Sequence, residues 1–347
     1  MRGLRKYLTP FAPDQSGAVS VLFELGGIVV ICDAGGCTGN VCGFDEPRWF
    51  EQKSAIFSAG LRDMDAILGR DDRLVAKLAD AAEKVDATFA AVIGTPVPAV
   101  IATDYLALKR MSEKKIKLPI LTVDTDGMEL YDKGEEKAFL ELFKIFAIEK
   151  YQAEEDRIGI LGMTPQDVSD LDAADKIRDL YQQKYGKQAV CYCMGDGLEE
   201  IREASSVSRN IVVSPAALMT AKYLEKTFGT PYEIHYPLVD ELIPDVDYTG
   251  KEVLIVHQQV IANSIRKELL KKGAKRVQIA SWFMMKKELL ADGDVLLRDE
   301  DAYIELVQNG DFDIIFADGC MERMIPEFKG IFVDTRHFAV SGKLIGK

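Results

Sequence analysis

The sequence predicts an α/β protein of three units, each a parallel sheet with helices on both faces. Three observations lead there. After residue 85, short apolar strand-like runs alternate with helix-like segments almost without interruption, the pattern of parallel sheets wound with helices. The chain is 347 residues long, enough for two or three domains at roughly 150 residues each. Hydrophobic residues make up 48% and charged residues 29%, with only 12 Pro and 27 Gly, which excludes disordered, collagenous and disulfide-stapled classes. The expected units cover 1–150, 151–245 and 246–347.

In the first unit, strands are expected at Val19–Leu25, Gly27–Cys32, Phe89–Ile93 and Pro119–Val123, because each is a short apolar run. Helices are expected near Ser58–Gly69, Arg73–Lys84 and Glu135–Ile148. The second unit begins at Arg157-Ile-Gly-Ile-Leu-Gly and continues through Ala189-Val-Cys-Tyr-Cys and Asn210-Ile-Val-Val. Its last helix carries the clearest boundary signals: Ser214 to cap, Pro215 at the first helical position, Gly229 after the last turn and Pro231 beyond. The polar stretch ELIPDVDYTGK is the expected linker. In the third unit, strands are expected at Val253–Val256, Val277–Ala280, Ile314–Ala317 and Ile331–Val333, and helices at Ala262–Lys272 and Ala302–Gln308.

Charge and hydropathy narrow the function. The net charge of −13 has the wrong sign for neutralising phosphates, so nucleic acid is not an expected partner. The most apolar window, Gly17–Gly36, holds Glu24, Asp33 and five glycines, so it reads as a buried strand pair rather than a membrane span. The N-terminal segment shows no secretory signal pattern, and the expected compartment is the cytoplasm. No G-x-x-x-x-G-K-[ST] or G-x-G-x-x-G loop is present, nor H-E-x-x-H or G-x-S-x-G, so neither nucleotide chemistry nor the common hydrolase templates are expected.

The cysteines are then the chemistry to explain. Cys32, Cys37 and Cys42 lie within eleven residues, after an apolar strand and among Gly35, Gly36 and Gly39. Converging thiolates with nearby backbone amides are what iron-sulfur clusters require. The spacing fits no diagnostic ferredoxin pattern, and it is equally the spacing of three buried thiols acting as small hydrophobes.

Gly36-Cys37, followed by Ser58-Ala-Gly-Leu61-Arg-Asp-Met-Asp65-Ala-Ile67-Leu-Gly69, resembles the nitrogenase component 1 family. So do Val92-Ile-Gly-Thr-Pro96 with Asp104, Asn210-Ile-Val-Val-Ser214, Tyr223-Leu-Glu-Lys-Thr-Phe-Gly229-Thr-Pro231, and Asp313-Ile-Ile-Phe-Ala-Asp with Gly330-Ile-Phe-Val. The resemblance implies three Rossmann-like domains around a central cleft and a cluster ligand at Cys37. At the family's other cysteine positions this chain has Pro13, Pro96 and Ser214, so neither a molybdenum-iron cofactor nor an eight-iron cluster carries over.

Cys42 supplies a second thiolate, and two chains meeting at this loop would give four, enough for one 4Fe-4S cluster. The resemblance thus implies a reductase component, as a homodimer or a heterodimer with a paralogous subunit. It would take low-potential electrons from a separate ATP-dependent iron-sulfur reductase and deliver them to a small-molecule or metallocofactor substrate. The alternative is a non-catalytic metallocofactor carrier or small-molecule-binding protein on the same fold.

Cys32 is a further cofactor-binding candidate. His257 and His337 stand near third-unit strand ends, where a side chain could move a proton. Cys191 and Cys193 share one face if the strand runs through both. Arg48 and the aromatics of Phe44–Phe50 could pair with a cluster or substrate, or fold onto an interface.

Overall fold

The structure is a computed structural model that describes residues 5–52 and 54–346; Met1–Leu4, at the head of the segment read for a secretory signal, lie outside them. It contains three wholly parallel sheets. The first comprises Ile28–Ile31 (β1), Ala55–Ser58 (β2), Ala90–Ile93 (β3) and Ile120–Val123 (β4), in the order β2-β1-β3-β4. The second comprises Glu154–Leu161 (β5), Gln188–Cys191 (β6), Val207–Val212 (β7) and Tyr232–Ile234 (β8), in the order β6-β5-β7-β8. The third comprises Glu252–Val256 (β9), Arg276–Ser281 (β10), Val295–Leu296 (β11), Ile314–Ala317 (β12) and Ile331–Asp334 (β13), in the order β11-β10-β9-β12-β13. Parallel pairs need helical crossovers, which cover both faces and explain why these strands are continuous apolar runs.

One expected strand is a helix. Asp14–Leu22 is α-helical, and all nine of its residues are buried. It lies with the helix Tyr131–Phe146 between the first two sheets: Val19, Val21 and Leu22 share one core with Phe139, Leu142, Leu161, Tyr192 and Val212. A helix covered on every side shows no 3.6-residue stripe, so its sequence reads like a buried strand. The two helices touch backbone to backbone. A Cβ on Gly17 would lie 1.9 Å from the carbonyl oxygen of Tyr131, and one on Gly134 would lie 1.7 Å from that of Asp14.

The span expected as the single helix Ser58–Gly69 begins instead with the last residue of β2, and its helix is confined to Asp63–Leu68. The second unit's last helix ends as expected, with Gly229 left-handed at φ 83°. It begins with a tight turn at Pro215–Ala217, in which the Ala216 amide donates to the Ser214 hydroxyl.

The second sheet contributes Ile158, Ile160 and Ile211 to a core shared with Val253, Ile255 and Phe316 of the third. Residues near the N-terminus pack on the third sheet: Leu8, Phe11 and Ala12 join its other core, beside Trp282 and Phe283. The Glu300 carboxylate accepts the amides of Lys6, Tyr7 and Leu8. Among the described residues no helix is long and apolar enough to cross a membrane.

Candidate functional site: the cysteine loop and the three-sheet junction

The cysteine loop leaves the carboxyl end of β1, the edge at which open parallel sheets bind ligands. Alternation along β1 puts Ile28, Val30 and Cys32 against Leu74, Val75 and Val92 on the outer face, and Val29 and Ile31 on the inner face. Cys32 is therefore sealed in an apolar core, and burial, helped by Asp71 and Asp33, pushes its thiol up to about 12. The structure does not bring it to the other two cysteines: Cys37 packs against the inner core.

Gly35, at φ 122°, turns the chain into the short helix Gly36–Asn40. Asp33 fixes this turn by accepting the Thr38 amide at 2.7 Å and the Ser58 hydroxyl at 2.6 Å. A wide π-turn, Val41–Asp45, follows, a distortion that often accompanies functional sites. Cys37 and Cys42 are half-buried free thiols on this run. Burial first, then Asp33 for Cys37 and Glu46 for Cys42, raises both above the ordinary thiol range. A Cβ added at Gly35, Gly36, Gly39 or Gly43 meets nothing within 4 Å, so the loop faces open space.

The other strand-end loops of the first sheet surround it. They carry exposed Met64, Ile67, Leu68, Val97, Val100 and Met128, and the π-turn adds Phe44; Val100 and Met128 are 84% and 82% exposed. Pro13 and Pro96 belong to the same edge. Asp14 accepts the amides of Asp126 and Gly127, and a Cβ on Gly127 would lie 2.5 Å from Pro96 Cδ. Asp104 caps the following helix by accepting the Ala107 amide, a structural role.

Arg48 does not face the loop's open side. It is buried, paired with Glu46 at 2.7 Å and Glu24 at 2.8 Å, and donates to the Ser20 and Cys193 carbonyls. Burial opposes its charge, but Glu46 and Glu24 outweigh that and raise its pKa. Glu24 also accepts the Gly195 amide, so the network ties the end of the cysteine loop to the second sheet. Phe44 and Phe50 remain exposed, whereas Trp49 packs edge-on to Phe23.

A cleft of about 1050 Å³ opens beside the loop, between Phe11, Pro13, Phe44, Gln166, Phe338 and Lys343. Gln166 is held to the loop by donating to the Asp45 carbonyl.

Behind this cleft, polar side chains from all three units meet in a buried junction. The Tyr131 hydroxyl donates to Asp167 Oδ1 at 2.5 Å and lies 3.0 Å from His337 Nε2. Thr164 donates to Glu135, and the Met284 amide donates to Asp132. His257 stacks on His337 with ring centroids 4.2 Å apart, so the two histidine candidates are neighbours. His257 has both nitrogens occupied: Nδ1 accepts the Gln258 amide, which leaves Nε2–H to donate to the Arg336 carbonyl. Burial, then His337, holds its pKa well below the ordinary value, which favours the neutral ring. Burial, then Asp167, raises Tyr131 and Glu135 well above their ordinary values. The sequence gives no sign of Tyr131, Glu135 or Asp167 as site residues, since they lie on the helix Tyr131–Phe146 and the short helix Pro165–Val168, whose functional faces exist only once the sheets pack.

Asp132 gives a testable sign. Burial raises its carboxyl to about 6 despite the Met284 amide bond, against about 3.9 when unfolded. The stability this group permits is whole below pH 4 and is lost as pH rises through 6, by about 3 kcal/mol at two pKa units. Asp132→Asn keeps the acceptor for Met284 without the charge. Its stability relative to wild type should rise between pH 4.5 and pH 7.5 in urea unfolding; an equal difference at both pH values would refute the buried-charge account.

Cys191 and Cys193 are separated rather than shared on one face. β6 ends at Cys191, the chain turns, and Cys193 takes φ 68°, so Cys191 enters the core between the second and third sheets and Cys193 the core between the first and second. Burial raises both thiols, Cys191 to about 12. Among the described residues no three His, Cys, Asp or Glu side chains gather to hold a metal ion.

The sequence pattern of the nitrogenase component 1 type oxidoreductases matches residues 14–240. Two solved structures, described as "Nitrogenase Cp1 at pH 6.5" and "Nitrogenase Cp1 at pH 5", are similar in fold, with TM-scores of 0.71 and 0.69 at 12% and 15% identity. The superpositions cover 96% of this chain in both cases, and 87% and 84% of those chains. No curated protein matches the chain by sequence.

Proposed function

Since the chain belongs to the nitrogenase component 1 type oxidoreductases, we propose that it is the electron-accepting component of a cytoplasmic reductase, holding a 4Fe-4S cluster between two copies of the cysteine loop. The observation that carries this reading is the pairing of two half-exposed thiols, Cys37 and Cys42, with an open glycine-lined surface inside an apolar collar. Two thiolates per chain are half of what a four-iron cluster takes, and a two-fold axis at the loop supplies the rest. The partner copy is a second chain or a paralogous subunit, and the collar with Phe44 becomes the dry core of that interface.

When bound, the cluster supplies low-potential one-electron transfer. Cys37 and Cys42 hold it as thiolates, so loading releases protons and weakens at low pH. Electrons come from a separate ATP-dependent iron-sulfur partner. The substrate, a small molecule or a metallocofactor, occupies the cleft beside the loop, bounded by Phe11, Phe44 and Phe338 with Gln166 and Lys343 as polar contacts.

Anaerobic reconstitution tests the reading. The wild-type protein should become brown, with one four-iron cluster per pair of chains. Cys37→Ser and Cys42→Ser should each lose most of the iron, while Cys191→Ser and Cys32→Ser keep it. Protein that stays colourless, or that loads iron independently of Cys37, sinks the cluster and favours a small-molecule carrier built on the same cleft.

A further inference from the structure

The junction behind the cleft contains polar atoms that the cluster reading does not use. Tyr131 belongs to the first unit, Asp167 to the second and His337 to the third, and all three are buried. A carboxylate only accepts, so Tyr131 O–H donates to Asp167 Oδ1, and its oxygen is left to accept from His337 Nε2–H. The His337 ring is fixed between His257, stacked at 12°, and the edge of Phe283. At either end of this chain an atom has no partner: His337 Nδ1 at one and Asp167 Oδ2 at the other. Buried polar atoms without partners are rare and call for an explanation.

We propose that His337, Tyr131 and Asp167 form a proton relay that runs across the three units behind the floor of the cleft. A proton arriving at His337 Nδ1 makes an imidazolium. The Nε2–H bond then breaks as a Tyr131 O–H bond forms, while the former Tyr131 O–H bond breaks as Asp167 Oδ1–H forms. One proton is gained at Nδ1 and one is held on Asp167 as its carboxylic acid, leaving His337 neutral with its proton on Nδ1; no electrons move. Gln166 and Phe338, the chain neighbours of Asp167 and His337, line the cleft. The relay therefore rests on the reading of that cleft as a place where a substrate takes up protons along with electrons.

The charged and titratable groups around the relay are Asp132 and Glu135 on the helix of Tyr131, Asp318, which accepts the His337 amide at 3.0 Å, and His257. Glu135 Oε2 is also without a partner. His257, with both nitrogens bonded in place, serves only to position the ring of His337.

Three histidines make the side-chain nitrogen spectrum of the histidine-labelled full chain simple to read. In the wild type, His337 should carry its proton on Nε2, as a hydrogen-bonded resonance protected from water. His337 Nε2 also lies 3.7 Å from Asp167 Oδ1, so Asp167→Asn should move that resonance by roughly 0.5 ppm or more in the wild type, and the shift should fall to less than about half in a Tyr131→Phe background, where only the direct charge effect remains. A His337 protonated on Nδ1 alone, or an Asp167→Asn effect of undiminished size without the Tyr131 hydroxyl, overturns the relay. If Tyr131→Phe fails to fold, as the His235 and His257 resonances will report, the wild-type tautomer and the Asp167→Asn shift decide by themselves. Iron content separates this test from the cluster: a failed relay leaves loading intact, and a failed cluster leaves the His337 spectrum intact.

Discussion

Arg48→Met is expected to destabilise the protein by about 3–5 kcal/mol, the usual result of removing one partner from a buried ion network. Methionine fills much of the volume, so the loss is electrostatic. It strands Glu46, only 1% exposed, and Glu24, only 14% exposed, without the guanidinium that neutralises both. It also removes the donors to the Ser20 and Cys193 carbonyls, the bonds that hold the end of the cysteine loop against the helix Asp14–Leu22 and the second sheet. Urea unfolding of the metal-free protein measures this directly. Arg48→Lys should recover only part of the loss, because an ammonium does not reproduce the forked contact with Glu46. A variant within 1 kcal/mol of wild type would mean that the network is largely hydrated in solution.

Gly134→Ala sets two effects against each other. Alanine is favoured over glycine inside a helix by about 1 kcal/mol, so at an open position the change would stabilise. Here the new methyl would lie 1.7 Å from the Asp14 carbonyl oxygen and 3.0 Å from the Ala18 nitrogen. Neither is the tip of a movable side chain, so the helices Asp14–Leu22 and Tyr131–Phe146 must separate. That separation opens the core around Val21, Leu22, Phe139 and Leu142 and moves Tyr131 away from Asp167. The clash wins, with an expected net loss of about 3 kcal/mol or more. Gly17→Ala, facing the Tyr131 carbonyl at 1.9 Å, should behave alike. A thermal midpoint at or above the wild-type value for either variant would show that the helices do not touch as described.

These two sites also show what the sequence discloses and what it hides. The central strands are legible because a parallel strand covered on both faces must be apolar at nearly every position, as Ile28–Ile31 and Ile314–Ala317 are. The same logic misleads at Val19–Leu25, whose first four residues close a helix that is itself buried along its whole length. β2 is short and half-exposed, so it lacks the run that announces a strand. Cys37 and Cys42 stand out because cysteine is scarce and the two are close in sequence. The junction is hidden for the opposite reason: Tyr131 and His337 are 206 residues apart, and neither has a neighbour in sequence that hints at the other. Arg48 looked available for an anion because Glu24, one of the acids that consumes its charge, lies 24 residues earlier, within an apolar stretch.

The attachment of the N-terminal arm to the third sheet orders events during synthesis. The amide of Lys6 is made 294 residues before the Glu300 carboxylate that receives it, so on the ribosome the first two sheets can assemble while Leu8, Phe11 and Ala12 have nothing to bury against. Contacts of such long sequence separation form late and slowly. The arm therefore acts as a completion seal: the part of the cleft wall at Phe11, which packs on Trp282 and Phe283, is put in place only after the last sheet has folded.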